Sequence, residues 1–420
     1  MAKDSIRDYS ATSSDNSDIQ SVDISEGCAP SGLNNAIREV MTDLKNVSAG
    51  TVALETPVAD SFSTDTISEK TSATGVTIDG VLLKDGAIGS IANAVAAHLT
   101  SINGGQIGGS KNLIINGNMA VAQRNVTAAT QTNLAYHTVD RFKIGPSNMG
   151  TFTHTQESDG PDGFSNSVKL VCTTADASPA AADNITIQNI IEAQDLQRLS
   201  KGSSGAKSVT LSFYAKSNKT GTYTAEIFDG DNNRHISKTF TVSSSGAWEY
   251  KTITFTGDTS GALNNDNGAG FYVLWHLGAG SNFTSGTLGT SWQAQDDTDR
   301  VSSSNVNLAD TIGNYFQLTG IQLEVGDVAT PFEHESYGDT LLKCQRYFEL
   351  CGFISRTDNL LDAVDYKVEK RAQSSIAVVS SDASGFSVSV NEHRDSRQGF
   401  YQSANASHTT RVTMSSDAEL

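Results

Sequence analysis

Cysteine is scarce in this 420-residue sequence: Cys28, Cys172, Cys344 and Cys351, with no CxxC among them. That excludes a disulfide-stapled scaffold and reads as reduced, buried thiols in a chain made in a cytosol. Cys344 and Cys351 could pair, but serve packing if residues 340–348 are helical. Basic charge is in deficit, with a net charge of −18. A nucleic-acid binder would need a basic patch for phosphates, so no nucleic-acid partner is expected. Contact with acidic surface glycans would need local basic residues or bridging cations. No apolar run approaches the roughly 20 residues of a membrane span, so no membrane insertion is expected. Met1–Ser10 has no apolar stretch and reads as no signal peptide, which fits release by cell lysis.

Catalytic motifs are also missing. The eight histidines are scattered, none in HExxH. His393-Arg394-Asp395 copies a kinase triplet without its glycine-rich loop or DFG. No GxSxG, P-loop or dinucleotide fingerprint appears, and nothing marks out a glycosidase pair among 47 acidic residues. Glu333-His334-Glu335 could ligate a metal or be a solvated loop. Asp229, Asp231 and Asn233 alternate like the start of a calcium loop, without the glycine and distant glutamate of an EF-hand; a hairpin turn is the simpler reading. No catalytic residue, metal or cofactor is expected.

What the chain has in quantity is Gly, Ser, Thr, Asn and Asp between β-branched runs, the composition of short strands and turns. Val209, Leu211, Phe213 and Ala215 alternate with Thr210, Ser212, Tyr214 and Lys216, a half-buried strand. Tyr223–Ile227, Ile236–Val242, Trp248–Thr256, Phe271–Leu277 and Val168–Cys172 are further strands, and Glu192–Leu199 a short helix. Strands at this spacing make a sandwich or barrel. Trp275 shares a face with Phe271, Val273 and Leu277 and belongs to the core. Trp292, among polar loop residues, and Trp248, after a turn, are the candidates to stack a sugar or to cap a sandwich edge.

The stretch Asn314–Phe348 closes this domain. Phe316 and Leu318 share one strand face; Ile321, Leu323 and Val325 share the opposite parity, so a β-bulge is expected at Gly320. Pro331 ends the ladder, and Thr340–Phe348 reads as a helix. Thr319–Gly326, Ala329–Glu333, Tyr337-Gly338 and Cys344–Phe348, with the opening run Asn112–Met119, Gln123-Arg124 and Asp140–Phe142, resemble the β-sandwich domain of bacteriophage tail fibres and related virion proteins. The resemblance covers roughly residues 111–348. It implies a jelly-roll of carbohydrate-binding-module type.

Before the sandwich, Leu33, Ile37, Val40 and Leu44 follow a heptad-like spacing in a helix from Leu33 to about Asn46. It is either an amphipathic helix on a small core or a bundle of identical chains. Asp8–Ser10 and Glu26–Arg38 resemble N-terminal modules of phage tail proteins. Residues 74–88 offer two tiny strands broken at Asp79-Gly80 and Asp85-Gly86, Ser90–Ile102 an alanine-rich helix, and Gly104–Gly109 a joint. Lacking intrachain cover, this segment reads as a trimeric shaft or a linker. After the sandwich, strands are expected at 352–355, 364–368, 375–380, 386–390, 399–402 and 411–415.

The expected architecture is mainly β: a virion-attachment segment (1–50), a trimerising shaft (51–110), a jelly-roll sandwich (111–337) and a C-terminal β tip (338–420). The expected role is a homotrimeric phage tail fibre, located in the virion and assembled in the host cytoplasm. Residues 1–50 would hold other tail or capsid proteins, and the sandwich and tip would bind a host glycan or protein receptor. The alternatives are a structural virion protein (head fibre, decoration or tail junction) and a glycan depolymerase.

Overall fold

The computed structural model describes residues 6–49, 76–78, 81–84, 87–90, 110–355, 361–381, 387–389, 398–404 and 410–420. The chain forms two compact units, Met1–Ala97 and His98–Leu420.

In the first unit, strands β1 (Asp18–Ile19) and β2 (Val22–Asp23) form a hairpin. Gln20 and Ser21 turn it with φ of 46° and 66°, the left-handed pair a two-residue hairpin requires. Helix α1 spans Pro30–Ser48. It starts before the expected Leu33, and its cap position is Ala29 and not Ser31, because Pro30 supplies a fixed φ suited to the first turn. Ala36 and Asp43 are buried on one flank of α1, where Asp43 accepts hydrogen bonds from the Tyr9 hydroxyl and from Gln20 Nε2. Another flank exposes Leu33, Ile37, Met41 and Leu44, each 53–64 % accessible. β3 (Val76–Ile78), β4 (Val81–Lys84) and β5 (Ala87–Ser90) make a three-stranded antiparallel meander in place of the two strands expected. Ser90 ends β5; the rest of the expected Ser90–Ile102 helix and the glycine joint lie outside the described residues.

The second unit is a sandwich of two six-stranded sheets. In chain order its strands are β6 (Thr127–Gln131), β7 (Phe142–Ser147), β8 (Thr151–Glu157), β9 (Ser167–Thr174), β10 (Asn184–Glu192), β11 (Val209–Ser217), β12 (Gly221–Asp229), β13 (Arg234–Val242), β14 (Glu249–Phe255), β15 (Ala269–Ala279), β16 (Gln293–Ala294) and β17 (Tyr315–Val325). Sheet I has the order β16-β13-β12-β15-β10-β7, and sheet II the order β14-β11-β17-β9-β8-β6. Alternate residues of both sheets meet in one core, where Phe213 packs edge-on against Trp275 with ring centres 5.7 Å apart. Trp275 is fully buried, as its strand face requires. The expected helix at 192–199 is a 3-10 turn, Ala193–Leu199.

The bulge stands at Gly320. Ser212 pairs with Gln322 and Tyr214 with Thr319, so Gly320 and Ile321 together face Phe213. Gly320 has φ +62°, and a Cβ there would lie 2.8 Å from the Phe164 ring. The opening segment docks on the same strand: Leu113 N donates to Leu323 O, and Ile321 N to Gly117 O. A Cβ on Gly117 would sit 2.1 Å from the Ile321 oxygen. Gly117→Ala should therefore cost about 1–3 kcal/mol, measured as a lower denaturation midpoint; an unchanged midpoint would mean this contact is not what closes the domain.

Helix α2 (Ser281–Thr284) is one turn, and α3 spans Tyr337–Gln345. α3 begins earlier than expected because Ser336 caps it, its hydroxyl accepting from Asp339 N, and it stops short of Phe348, which opens the next strand. β18 (Phe348–Ser355), β19 (Leu361–Asp365), β20 (Ser375–Ser381), β21 (Ser387–Ser389), β22 (Gln398–Ala404) and β23 (Thr410–Asp417) form two three-stranded sheets, β18-β23-β20 and β19-β22-β21. All four cysteines are free.

Candidate functional site

The outer faces of the two sheets differ. On sheet I, the segment 280–306 crosses the face: Ser302 N donates to Thr224 Oγ1, Ser237 Oγ to Arg300 O, and Asn305 Nδ2 to His276 O. Beneath it, Glu226 is fully buried and takes two hydrogen bonds from Arg300, of 2.9 and 3.1 Å, and one of 2.7 Å from His276. Burial alone would raise its pKa, but the His276 hydrogen bond, the His235 ring 3.5 Å away and the Arg300 charge outweigh it and hold the carboxyl well below the usual range. Glu226 is thus locked as a carboxylate that anchors the strap.

On sheet II the face over β11 and β14 carries aromatic side chains. Strand parity puts Tyr214 and Tyr250 outward, and the register makes them a cross-strand pair with ring centres 4.9 Å apart. Phe164, from the loop between β8 and β9, fits the space that Gly320 leaves and lies 5.6 Å from Tyr214. Phe332 and His334 extend the row, 5.0 and 5.2 Å from Phe164. Tyr250 is 47 % exposed, His334 is exposed, and Phe164, Tyr214 and Phe332 are half-buried.

Trp248 stands at one end of this row. Its Nε1 reaches Asp159 at 3.5 Å, and Lys216 Nζ lies 5.6 Å from its ring. Asp159 also accepts from Lys216 Nζ at 2.8 Å and from Gln317 Nε2 at 3.0 Å. The hydrogen bond from Lys216 is the main cause of its lowered pKa. The result is a run of flat apolar rings with a carboxylate and an ammonium at one end, able to stack a ring and hydrogen-bond its rim.

Trp292 lies elsewhere, at the β16 end of sheet I. It is half-buried against the core, its Nε1 donates to Thr256 O at 2.6 Å, and its ring is 5.8 Å from Phe271. The two tryptophans named from sequence therefore do not converge. Tyr214, Tyr250, Phe164, Phe332 and His334 were not singled out; the available signal was Tyr214, an aromatic at an outward position of a clean alternation.

The Glu333-His334-Glu335 loop is occupied otherwise. Glu333 accepts from the backbone of Lys111 and Asn112, Glu335 pairs with Lys343, and His334 stacks in the row. Among the described residues no three His, Cys, Asp or Glu side chains are placed to hold a metal ion, and no helix is long and apolar enough to cross a membrane.

No family model and no curated protein matches the chain. Among solved structures it is similar to the enzymatically active domain of tailspike protein 4 of bacteriophage CBA120, at 12 % identity over 51 % of this chain and 21 % of that one, with a TM-score of 0.29. It is also similar to a structure titled "CBM4 structure and function", at 14 % identity over 50 % and 99 % with a TM-score of 0.27. A third is the family 11 carbohydrate-binding module of Clostridium thermocellum in complex with a mixed-linked tetrasaccharide, at 12 % identity over 50 % and 99 % with a TM-score of 0.26. The chain spans about a fifth of the tailspike chain.

Proposed function

We propose that this protein is a homotrimeric adhesion fibre of a bacterial virus, held to the particle by residues 1–50, whose sandwich binds host-surface glycans on the aromatic row of sheet II. The observation that carries the glycan reading is the contrast between the two outer faces. On sheet I the strap crosses β12, β13 and β15, whereas β11 and β14 carry half-buried Tyr214 and exposed Tyr250 beside Trp248 with no such segment bonded across them among the described residues. Sugar rings present flat C–H faces and polar rims, which match such a row and its Asp159–Lys216 end. The α1 flank with four exposed large apolar residues supports self-association, since such a stripe is costly to leave in water. The sequence resemblance of the opening and closing segments, which dock on one another at β17, supports the virion setting. Several weak sites on one trimer would bind a surface firmly by avidity.

Binding of purified protein to host-surface polysaccharide tests this. Tyr214→Ala with Tyr250→Ala should weaken binding about tenfold at most for each ring lost, from the worth of one aromatic contact, with unfolding temperature nearly unchanged. No polysaccharide bound, or equal binding by the variant, would sink the row as the site. Molar mass in solution tests the assembly: about three times 44.4 kDa is expected.

A further inference from the structure

The β6 end of sheet II, at the far end of the strand order from Tyr214 and Tyr250, holds a pair of histidines. His154, on β8, is fully buried and shares the core face of that strand with Phe152. Neither of its ring nitrogens has a hydrogen-bond partner. A neutral imidazole carries one N–H, so His154 forgoes a bond in the closed fold. Half-buried His137 covers it, with ring centres 5.0 Å apart, and bonds the Asn133 carbonyl through its own Nε2 at 3.1 Å.

No carboxylate stands by to balance a proton on this ring. Opposite His154 are Ala128 on β6 and Leu170 on β9, and a Cβ on Gly145 of β7 would stand 3.4 Å from the ring. Glu157 and Lys169 pair at 3.8 Å on the other face of sheet II, and strand parity turns Lys143 of β7 outward from sheet I. In the stretch after β6, Tyr136 donates to Leu420 O, Asp140 accepts from Gln123, and Arg141 pairs with Glu419. Among the described residues, His137 is the one charge-bearing group that acts on His154.

The element over the pair is weakly held. β6 is the edge strand of sheet II, and its residues are exposed or half-buried. Thr130 stands at φ +57°, a strained conformation for a β-branched residue, where the β6–β8 register slips between Ala128 and Gln131. The chain then crosses to sheet I, where Ala135 and Ile144 exchange backbone hydrogen bonds.

We infer that residues 127–137 are an acid-released latch: a proton on His154 detaches β6 and the loop after it and bares the edge of β8, while the rest of the sandwich stays closed. An imidazolium in the closed fold would have two unmet N–H donors, no anion beside it and a second histidine against it. Burial, and then His137, push the His154 pKa down to about 3, from 6.5 for a ring in water. The open form therefore takes a proton that the closed form refuses. Opening is indifferent to pH above about 6.5 and grows about tenfold for each unit below it. Asp140, with its pKa raised to about 6, acts with the opposite sign and cannot imitate this.

Hydrogen exchange of the full chain between pH 7.5 and 5.5 tests the latch, a range above the sequence pI near 4.7. Each rate is corrected for the pH dependence of exchange in an unstructured peptide. Protection of the Gln156 and Ile144 amides, which donate to Val126 O and Ala135 O at 2.8 Å, should fall about tenfold. Amides of β11 and β17 should keep theirs. The fall should vanish in His154→Phe, which keeps a ring, and in the smaller His154→Leu, which serves if the first overpacks. Followed by NMR, the His154 ring of the closed form should stay neutral at pH 5.5. Protection of Gln156 and Ile144 that is independent of pH, an equal fall in a folded His154 variant, a parallel fall in β11 and β17, or a His154 ring that titrates near pH 6.5 with the latch closed would each overturn the inference.

Discussion

Replacing Arg141 with methionine should release the C-terminal strand from the sandwich while the sandwich itself stays folded. Arg141 is 1 % exposed and holds three groups: the Glu419 carboxylate, the Ile190 carbonyl and the face of Tyr347. Glu419 belongs to the segment that ends β23, and β23 is the central strand of the β18-β23-β20 sheet. Arg124 completes the clasp. It pairs with Asp417 at 2.9 Å and with Glu419 at 3.4 Å, and lies 3.7 Å from the Phe348 ring centre. Asp140 orders Gln123 beside it, accepting its backbone N–H at 2.9 Å, while the Gln123 side chain donates to Phe348 O at 2.8 Å. Burial raises the Asp140 pKa to about 6. Breaking a buried pair by removing one partner costs about 3–5 kcal/mol, and the lower end is expected because Arg124 still faces Glu419. Hydrogen exchange reads the outcome locally: amides of β23 should lose protection, while those of β10 and β15 keep theirs. Glu419→Gln should behave alike, and the double variant should cost far less than the sum. Unchanged protection of β23 in Arg141→Met would show that the strand is held by its own sheet.

This clasp accounts for some of the residues that carried the sequence resemblance. Gln123-Arg124, Asp140-Arg141 and Tyr347-Phe348 meet at one place, where Arg124 and Arg141 hold Asp417 and Glu419 against the sandwich. Nothing in the sequence paired Arg141 with Glu419, because ion pairs 278 residues apart leave no period to read. The bulge was legible for the opposite reason: a strand has a period of two, and the break in parity between Leu318 and Ile321 requires an extra residue. The strands of the sandwich were legible in the same way. The aromatic row was not, since it is assembled from a strand pair, a loop and the 327–336 segment, and only Tyr214 stood out by parity. On α1 the reading was half right: Leu33, Ile37 and Leu44 form a stripe as spaced, but Met41 completes it, and Val40 is half-buried near the Ala36 flank.

The turn after β12 leads to the second large effect. Asp229, Asp231 and Asn233 have the alternation of a calcium loop, yet the positive charge there is the ammonium of Lys201. Its Nζ lies 2.5 Å from Asp229 Oδ2, 3.0 Å from Asp258 Oδ2, 2.9 Å from Ser260 O and 2.8 Å from Gly261 O, and the three side chains are at most 3 % exposed. Four oxygens converge on one buried cation that ties the β12–β13 turn to the segment after β14. Asp258 keeps a second partner in Arg234, at 2.7 and 3.1 Å, and Asp229 keeps the N–H groups of Asp231 and Asn232. Lys201→Ala removes the shared charge and leaves two carboxylates facing a small void, so a loss of about 3–5 kcal/mol is expected. The same void has the oxygen donors a calcium ion prefers, two carboxylates and two carbonyls, with room for water to complete its shell. Millimolar calcium should therefore raise the unfolding temperature of Lys201→Ala and leave that of the parent unchanged. Lys201→Met, whose side chain fills the void, should be destabilised without responding to calcium. If Lys201→Ala melts with the parent, the ammonium contributes no net stability and the turn is held by its backbone hydrogen bonds and Arg234 alone. If it is destabilised but indifferent to calcium, the four oxygens are fixed at a spacing that suits an ammonium and not a smaller, harder ion.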